Sequence, residues 1–367
     1  MSTSDDDFTR MMEPALAEHY QRCLPFLREA VDSVLPEKSN EKWLGKIMGK
    51  PYFDWDHDAI AAAILTPMHS YLHRTGKLFR PYLVSLCLEA YDLKKEFYKE
   101  IIGLAEVIHS ASLMADDMAD ESEMRRGKLT AHREYGVTIA GISCFSMFNF
   151  GNQILSDQKF KLPGSVIVRI NSELTWEHFV TGLGTCIDLG WSQARKTEVD
   201  WKAFLDHILY RSCSYTYRMP VKIGALIAQV PEVDYSILVE FGQATGLAFQ
   251  LIDDILNIAP GHSGWGKKVG EDITAGKRTL LVLYTLRQAN EPDRNRLLEI
   301  LDAKTESESD LREAVHLMEK YNAFQYSLKQ AKEFLDGLLP KIDLLSVAPK
   351  YKSLFRAFAE YVVYRQI

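Results

Sequence analysis

Asp116, Asp117 and Asp120 close a stretch, residues 97–120, whose apolar residues recur every three or four positions, the spacing of one face of an α-helix. Asp116 and Asp120 therefore lie one turn apart with Asp117 beside them, and like charges so placed cost a helix roughly a few tenths of a kcal/mol. A second pair, Asp253 and Asp254, interrupts the apolar run from Leu247 to Leu256. Carboxylates there are expensive unless a cation or water meets them. Clustered carboxylate oxygens suit a hard divalent cation such as Mg²⁺, which commonly bridges one or two carboxylates to a substrate's phosphates. A solvated acidic face would explain the first cluster alone; it explains the second poorly.

Each acidic cluster has basic residues close behind it. Arg125-Arg126-Gly127 follows the first, and a glycine-rich stretch from Gly266 to Thr279, holding Lys267 and Lys277, follows the second. This stretch is no P-loop: its glycines are wrongly spaced and Arg278 stands where Ser or Thr is needed. A leaving group that gains negative charge would be stabilised by Lys267 and Lys277. Earlier, Gly76-Lys77-Leu78-Phe79-Arg80-Pro81 puts Lys77 and Arg80 beside a helix N-terminus, with Pro81 in its first turn. His132 reads as structural.

The remaining chain predicts packing elements. Helices are expected over 8–34, 43–48, 61–73 with a kink at Pro67, 82–90, 97–120, from Val137, 165–189, from Asp200 through Pro220, and over 246–257, 280–289, 294–301, 307–321, 323–339 and 351–364. No sustained alternation, internal repeat or Gly/Ser linker appears. The expectation is one all-α domain over 1–367, a single large helical bundle, with 1–8 a flexible tail. Of 367 residues 47 % are hydrophobic and 25 % charged, enough for a sizeable core. The net charge of -7 excludes nucleic-acid binding by bulk electrostatics, so anionic ligands must find local cations. Five cysteines without a CxxC pair predict reduced, buried thiols and a cytoplasmic protein. The acidic N-terminus does not read as a signal peptide, nor the C-terminus as a lipidation signal. The uncharged run from Gly136 to Ser156 could span a bilayer by length. Asn149, Asn152, Gln153 and its glycines favour a helix buried in the bundle, without stable membrane insertion.

Asp-Asp-x-x-Asp with Arg-Arg-Gly, the upstream Gly-Lys-x-x-Arg-Pro, then Phe249-Gln250-x-x-Asp253-Asp254, Gly-Lys-x-x-Gly-x-Asp and Gly-Lys-x-Thr stand in the order found in trans-isoprenyl diphosphate synthases. The chain resembles that family from about Met68 onward. The resemblance implies the isoprenoid synthase fold, a deep central cavity, a homodimer, and Mg²⁺-dependent head-to-tail condensation of isopentenyl diphosphate with an allylic diphosphate. By the same resemblance Asp116, Asp117, Asp120, Asp253 and Asp254 hold Mg²⁺ and through it the allylic diphosphate, which Arg125, Lys267 and Lys277 neutralise. Lys77, Arg80, His109 and Arg126 hold isopentenyl diphosphate, and Phe249 and Gln250 line its site. The proton lost at the end goes to diphosphate, so no protein base is expected.

Several positions depart from the family pattern. Arg211-Ser212 replaces Lys-Thr, Thr185 replaces Gln before Asp188, Thr75 replaces a glycine, and Asn257 ends the second acidic motif. Arg keeps the charge of Lys but not its shape. These departures motivate two alternatives: cyclisation or irregular coupling of an allylic diphosphate, and a regulatory subunit without catalysis. Product length follows from the residues one turn, about 5.4 Å, before Asp116. Ala111 and Ser112 are small, which predicts a product longer than fifteen carbons, with twenty the first expectation, unless Ile108, Phe145, Met147 or Phe148 forms a higher floor.

Overall fold

The computed structural model describes residues 11–35, 38, 40–74, 76–155, 160–258 and 270–364. Its helices begin where the sequence offers caps. Helix α1 (Pro14–Asp32) starts behind Glu13, whose carboxylate accepts the N–H groups of Ala15 and Leu16. Helix α2 (Glu41–Met48) is capped by Asn40. A π-helical turn, Ala61–Leu65, runs into α3 (Thr66–Leu72), so Pro67 sits in the first turn after it rather than at a kink inside one helix. Helix α4 (Phe79–Ala90) starts three residues earlier than predicted, and α5 (Lys99–Ala119) carries the first acids.

Beyond α5 come a two-residue hairpin, β1 (Met124–Arg125) against β2 (Lys128–Leu129), then α6 (Val137–Leu155), α7 (Gly164–Gln193) and α8 (Trp201–Ile208). The helix expected through Pro220 is not regular. A ten-residue π-helical segment, Leu209–Arg218, joins α8 to α9 (Met219–Ile227). Then follow α10 (Glu232–Ile258), α11 (Leu280–Gln288), α12 (Glu291–Ala303), α13 (Glu308–Lys320), α14 (Ala323–Ile342) and α15 (Pro349–Tyr364).

Helix α5 is buried along nearly its whole length because α1, α4 and α6 surround it. Its approach to α1 requires Gly103, where an added Cβ would stand 2.0 Å from the Ala30 carbonyl oxygen. The π segment packs between α7 and α10 and also touches α5, which is how a residue near position 211 reaches the acids of α5. Tyr20, Phe79, Tyr82, Tyr217, Phe241 and Phe358 form one aromatic cluster across α1, α4, the π segment, α10 and α15. Each such pair adds about 0.5–1.5 kcal/mol beyond its burial. One apolar core runs from Met12 to Val363.

The uncharged run is α6, and no described helix is long and apolar enough to cross a membrane. It is not buried all round: Ile142 and Phe145 face outward, Phe145 at 67 % exposure. All five cysteines are free, four of them buried and Cys186 exposed.

Candidate active site

Asp116 and Asp120 stand at the C-terminal end of α5, where the helix dipole is negative and cations are favoured. Two cations from distant parts of the chain meet them. Arg211, from the π segment, donates to Asp116 Oδ1 (2.8 Å) and lies 3.9 Å from Asp120 Oδ2, while its other terminal nitrogen is 2.9 Å from Asp188 on α7. Lys277 donates to Asp120 Oδ2 (2.8 Å) and lies 3.1 Å from Asp272. Asp188, Asp116 and Asp120 together hold the Arg211 guanidinium charged far above its ordinary range despite burial. Asp272 and the α5 acids do the same for Lys277.

Asp117 is placed differently. It is 0 % exposed, and both of its oxygens are engaged: Tyr71 donates its hydroxyl to Oδ2 (2.7 Å), and Arg125 Nε lies 2.9 and 3.1 Å from the two oxygens, with Nη2 also bonded. Arg125, expected to meet a diphosphate directly, thus spends its fork on Asp117 and stays 3.8 Å from Asp116. Arg74 braces the hairpin behind it by donating to the carbonyls of Arg125 (3.2 Å) and Leu129 (2.7 Å).

Across the site, Asp254 is buried in α10 and accepts from Gln250 Nε2 (2.7 Å). Gln250 therefore sits on the acid rather than apart from it. Burial, then Asp272 and Asp253, pushes the Asp254 carboxyl well above the usual range. Carboxylates crowded in this way, all of them hard oxygen donors, fit a divalent cation of the Mg²⁺ type. Asn257 has a structural use: its side-chain oxygen accepts the N–H of Asp272 (3.3 Å) and its carbonyl that of Gly270 (3.1 Å). Lys277 is held in place from behind by Arg278, 2 % exposed, which bonds the carbonyls of Lys196 and Gly276 (both 2.8 Å) and the Asp302 carboxylate (3.0 Å). Lys267 lies outside the described residues.

A second polar group lies about two turns before Asp116 on the same face of α5. Arg80 donates to Thr216 (3.2 Å), but its Nε is buried without a partner in the structure. His109, buried, stacks on Tyr215 at 5.8 Å, and its Nδ1 is also unmatched. Arg126 donates to the Arg74 carbonyl (3.1 Å) and lies against Gly76, where an added Cβ would come within 2.7 Å of its Nη1. Burial and the nearby charges of Arg80 and Arg126 keep His109 neutral, with its pKa well below the ordinary value. Glu106, 3 % exposed, feels both arginines, yet burial raises its pKa and one of its oxygens is unpaired. Two arginines and a neutral histidine thus face one another at a buried point of the bundle. Lys77 belongs to the same loop, its carbonyl accepting from Tyr20. Tyr215 lies within electrostatic reach of Asp116, Arg80 and Arg211, between the two groups.

Of the other expected residues, Phe249 packs on Tyr217 (5.2 Å) and Ser212 is half-buried in the π segment. Ala111, Ser112 and Ile108 are buried in α5, with Cys144 Sγ donating to the Ala111 carbonyl (3.3 Å). Sequence reasoning missed Tyr71, Arg74, Glu106, Asp188, Tyr215, Thr216 and Asp272 as contributors. Glu106 had a signal, an acid one turn before His109 on the apolar face of α5; Tyr215 and Thr216 had none, because the π register that aims them is not legible in the sequence.

The arrangement places two polar regions in an apolar helix bundle, one rich in carboxylates met by Arg211 and Lys277, the other holding Arg80, Arg126 and His109. Among curated proteins, the chain is 28 % identical over 286 residues to the geranylgeranyl diphosphate synthase of Sulfolobus acidocaldarius, covering 76 % of this chain and 86 % of that protein. It is 30 % identical over 251 residues to the short chain isoprenyl diphosphate synthase of Methanocaldococcus jannaschii, covering 66 % and 72 %. A crystal structure of geranylgeranyl pyrophosphate synthase superposes with a TM-score of 0.80 at 21 % identity, over 94 % of this chain and 98 % of the other, and so shares the fold. The sequence profile of the polyprenyl synthetase family matches residues 61–318, a span that takes in both acidic helices and every cation just described. With motif order, fold and profile in agreement, the chain belongs to the polyprenyl synthetase family.

Proposed function

We propose that the chain is a trans-prenyltransferase, working as one domain, that condenses isopentenyl diphosphate head-to-tail with an allylic diphosphate to give a prenyl diphosphate of twenty carbons or more. The observation that carries this reading is the convergence of Lys277 and Arg211 on Asp120 and Asp116, which joins the first acidic motif to the loop beyond the second. Asp116, Asp120, Asp253 and Asp254 would hold Mg²⁺, while Asp117 anchors Arg125. Bound Mg²⁺ would supply positive charge to the departing diphosphate. Arg211 and Lys277 hold protonated charge beside the same aspartates and would turn toward the diphosphate as ions take over the aspartates. Arg80, Arg126, Lys77 and neutral His109 would orient isopentenyl diphosphate, with Tyr215 between the substrates. The buried apolar face of α5 excludes water from the allylic cation.

A homodimer fits the exposed apolar stripe of α7. Val168, Trp176, Phe179 and Leu183 recur at helical spacing, and Phe145 and Ile142 of α6 are exposed beside them in sequence order. Five scattered cysteines without a CxxC pair support a cytoplasmic enzyme. The deciding experiment incubates the pure protein with Mg²⁺, isopentenyl diphosphate and allylic diphosphates of increasing length, with products measured by mass. Products lengthened by isoprene units are expected. Cyclic hydrocarbon, irregular coupling or no Mg²⁺-dependent product would reject the proposal.

A further inference from the structure

Away from the active site, three helical elements bring a mixed set of side chains to one buried point. His19 and Cys23 stand one turn apart on α1, and Glu89 reaches them from α4. His19 Nε2 lies 3.1 Å from Glu89 Oε2, Cys23 Sγ lies 3.8 Å from Glu89 Oε1, and Cys23 Sγ lies 4.0 Å from His19 Nδ1. One ligand atom from each residue falls within 4.8 Å of the others. A tetrahedral ion with bonds of about 2.0–2.3 Å spaces its nitrogen and sulfur ligands by about 3.5 Å, so the widest separation, up to 4.8 Å, must close by about 1.3 Å.

Two further features suit a metal. Tyr82 bonds His19 Nδ1 (3.0 Å), which fixes the ring and leaves Nε2 facing the carboxylate, the usual second-shell arrangement of a ligating histidine. A cation already sits there: Lys95 Nζ bonds Glu89 and lies 3.5 Å from Cys23 Sγ. It comes from the 3₁₀ turn Lys95–Tyr98 at the edge of the molecule, over the ring of Phe26 at 4.9 Å. A lysine on a flexible stem can swing outward where a backbone cannot. Ser85, 3.4 Å from Glu89 Oε1, is the other polar neighbour.

We propose that His19, Cys23 and Glu89 form a binding site for a thiolate-preferring divalent metal of the Zn²⁺ class, with the Lys95 ammonium as its built-in substitute when the metal is absent. Binding exchanges one Lys95 charge and the protons of His19 and Cys23 for the ion, and a water or Ser85 completes four ligands. The hard active-site carboxylates do not compete on equal terms, because a thiolate selects the softer ion. The site would clamp α1 to α4, next to the Tyr20 contact that holds the Lys77 loop.

Titration of the full-length, chelator-treated protein with Co²⁺ in excess Mg²⁺ tests this. A thiolate-to-cobalt charge-transfer band, saturating at one ion per chain and bleached by Zn²⁺, is expected, since carboxylate sites cannot produce it. Cys23→Ser should abolish the band, Tyr82→Phe should weaken affinity by about 10-fold, and Lys95→Met should strengthen it by about 10-fold through loss of the competing charge. No band in the native protein, or one that survives Cys23→Ser, overturns the site. If Lys95→Met leaves affinity unchanged, the substitute role falls. Prenyl transfer does not enter the readout, so this outcome and that of the proposed function are separable.

Discussion

Asp116 and Asp117 are neighbours of identical chemistry with opposite surroundings, and the difference can be measured. Asp117→Asn strips the buried partner from Arg125 and Tyr71, so unfolding free energy should fall by about 3 kcal/mol in denaturant titration. Asp116→Asn, about a quarter exposed and leaving Arg211 still paired with Asp188 and near Asp120, should cost less stability than Asp117→Asn and abolish most turnover. Equal stability losses would reject the anchoring role of Asp117. A second residue-scale expectation concerns His19, whose pKa is raised to about 9 because its bonds to Cys23 and Glu89 outweigh burial. A folded-state pKa above the unfolded value of 6.5 gives stability that is complete below that value and lost as pH rises through about 9. In metal-free protein, His19→Asn should therefore cost most near pH 6 and least above pH 9, read as the difference between denaturation midpoints. The acids and Lys77, Arg80 and Arg126 were legible because charge in an apolar or glycine-rich run is conspicuous. Their pairing was not, since it needs the folded distances.

Helix existence was readable from periodicity nearly everywhere, and helix irregularity was not. Residues from Asp200 through Pro220 read as one helix because apolar spacing tolerates an inserted π turn, yet the π segment sets where Arg211, Tyr215 and Thr216 point. What holds it is close packing: a Cβ on Gly184 would lie 2.4 Å from the backbone nitrogen of Arg211, and one on Gly246 would lie 2.6 Å from Cys213 Cβ. Gly184→Ala must therefore push the π segment off α7. The expected cost is about 1–3 kcal/mol, with a fall in kcat larger than any rise in KM as Arg211 shifts away from Asp116. Gly182→Ala, where the same test finds open space, should behave as wild type in both measurements. A Gly184→Ala enzyme with native kcat would mean that the register of the π segment does not matter for the chemistry.

At the scale of the molecule, the open question from the sequence was where the hydrocarbon cavity ends. Phe145 is turned outward and Met147 is fully buried in the core, while Phe148, half-buried, meets the His178 ring on α7 at 4.9 Å. Cys144 marks the level of Ala111 on α6, so Phe148 lies one turn deeper, near Ile108 and about 12 Å along α5 from Asp116. His178 there is kept neutral by burial, its pKa lowered to about 4. Ala111→Phe should shorten the main product and Phe148→Ala should lengthen it, both read by mass spectrometry. An unchanged product in the first variant would put the growing chain along a different wall. The bundle itself was legible from the absence of alternation and from motif order; the two-residue hairpin at Arg126-Gly127 was not, because strands this short leave no pattern.

Helices α6 and α7 look both ways: Met147 of α6 and Leu174 and Val180 of α7 are buried, while Phe145, Trp176 and Phe179 of the same helices turn outward. If two copies meet on that outer stripe, each lends rigidity to the other's product wall. Protein concentration then becomes a kinetic variable. Specific activity should fall when the enzyme is diluted below its dimer dissociation constant, the spread of product lengths should widen with it, and Trp176→Glu should produce both effects at concentrations where the native chain sediments as a dimer.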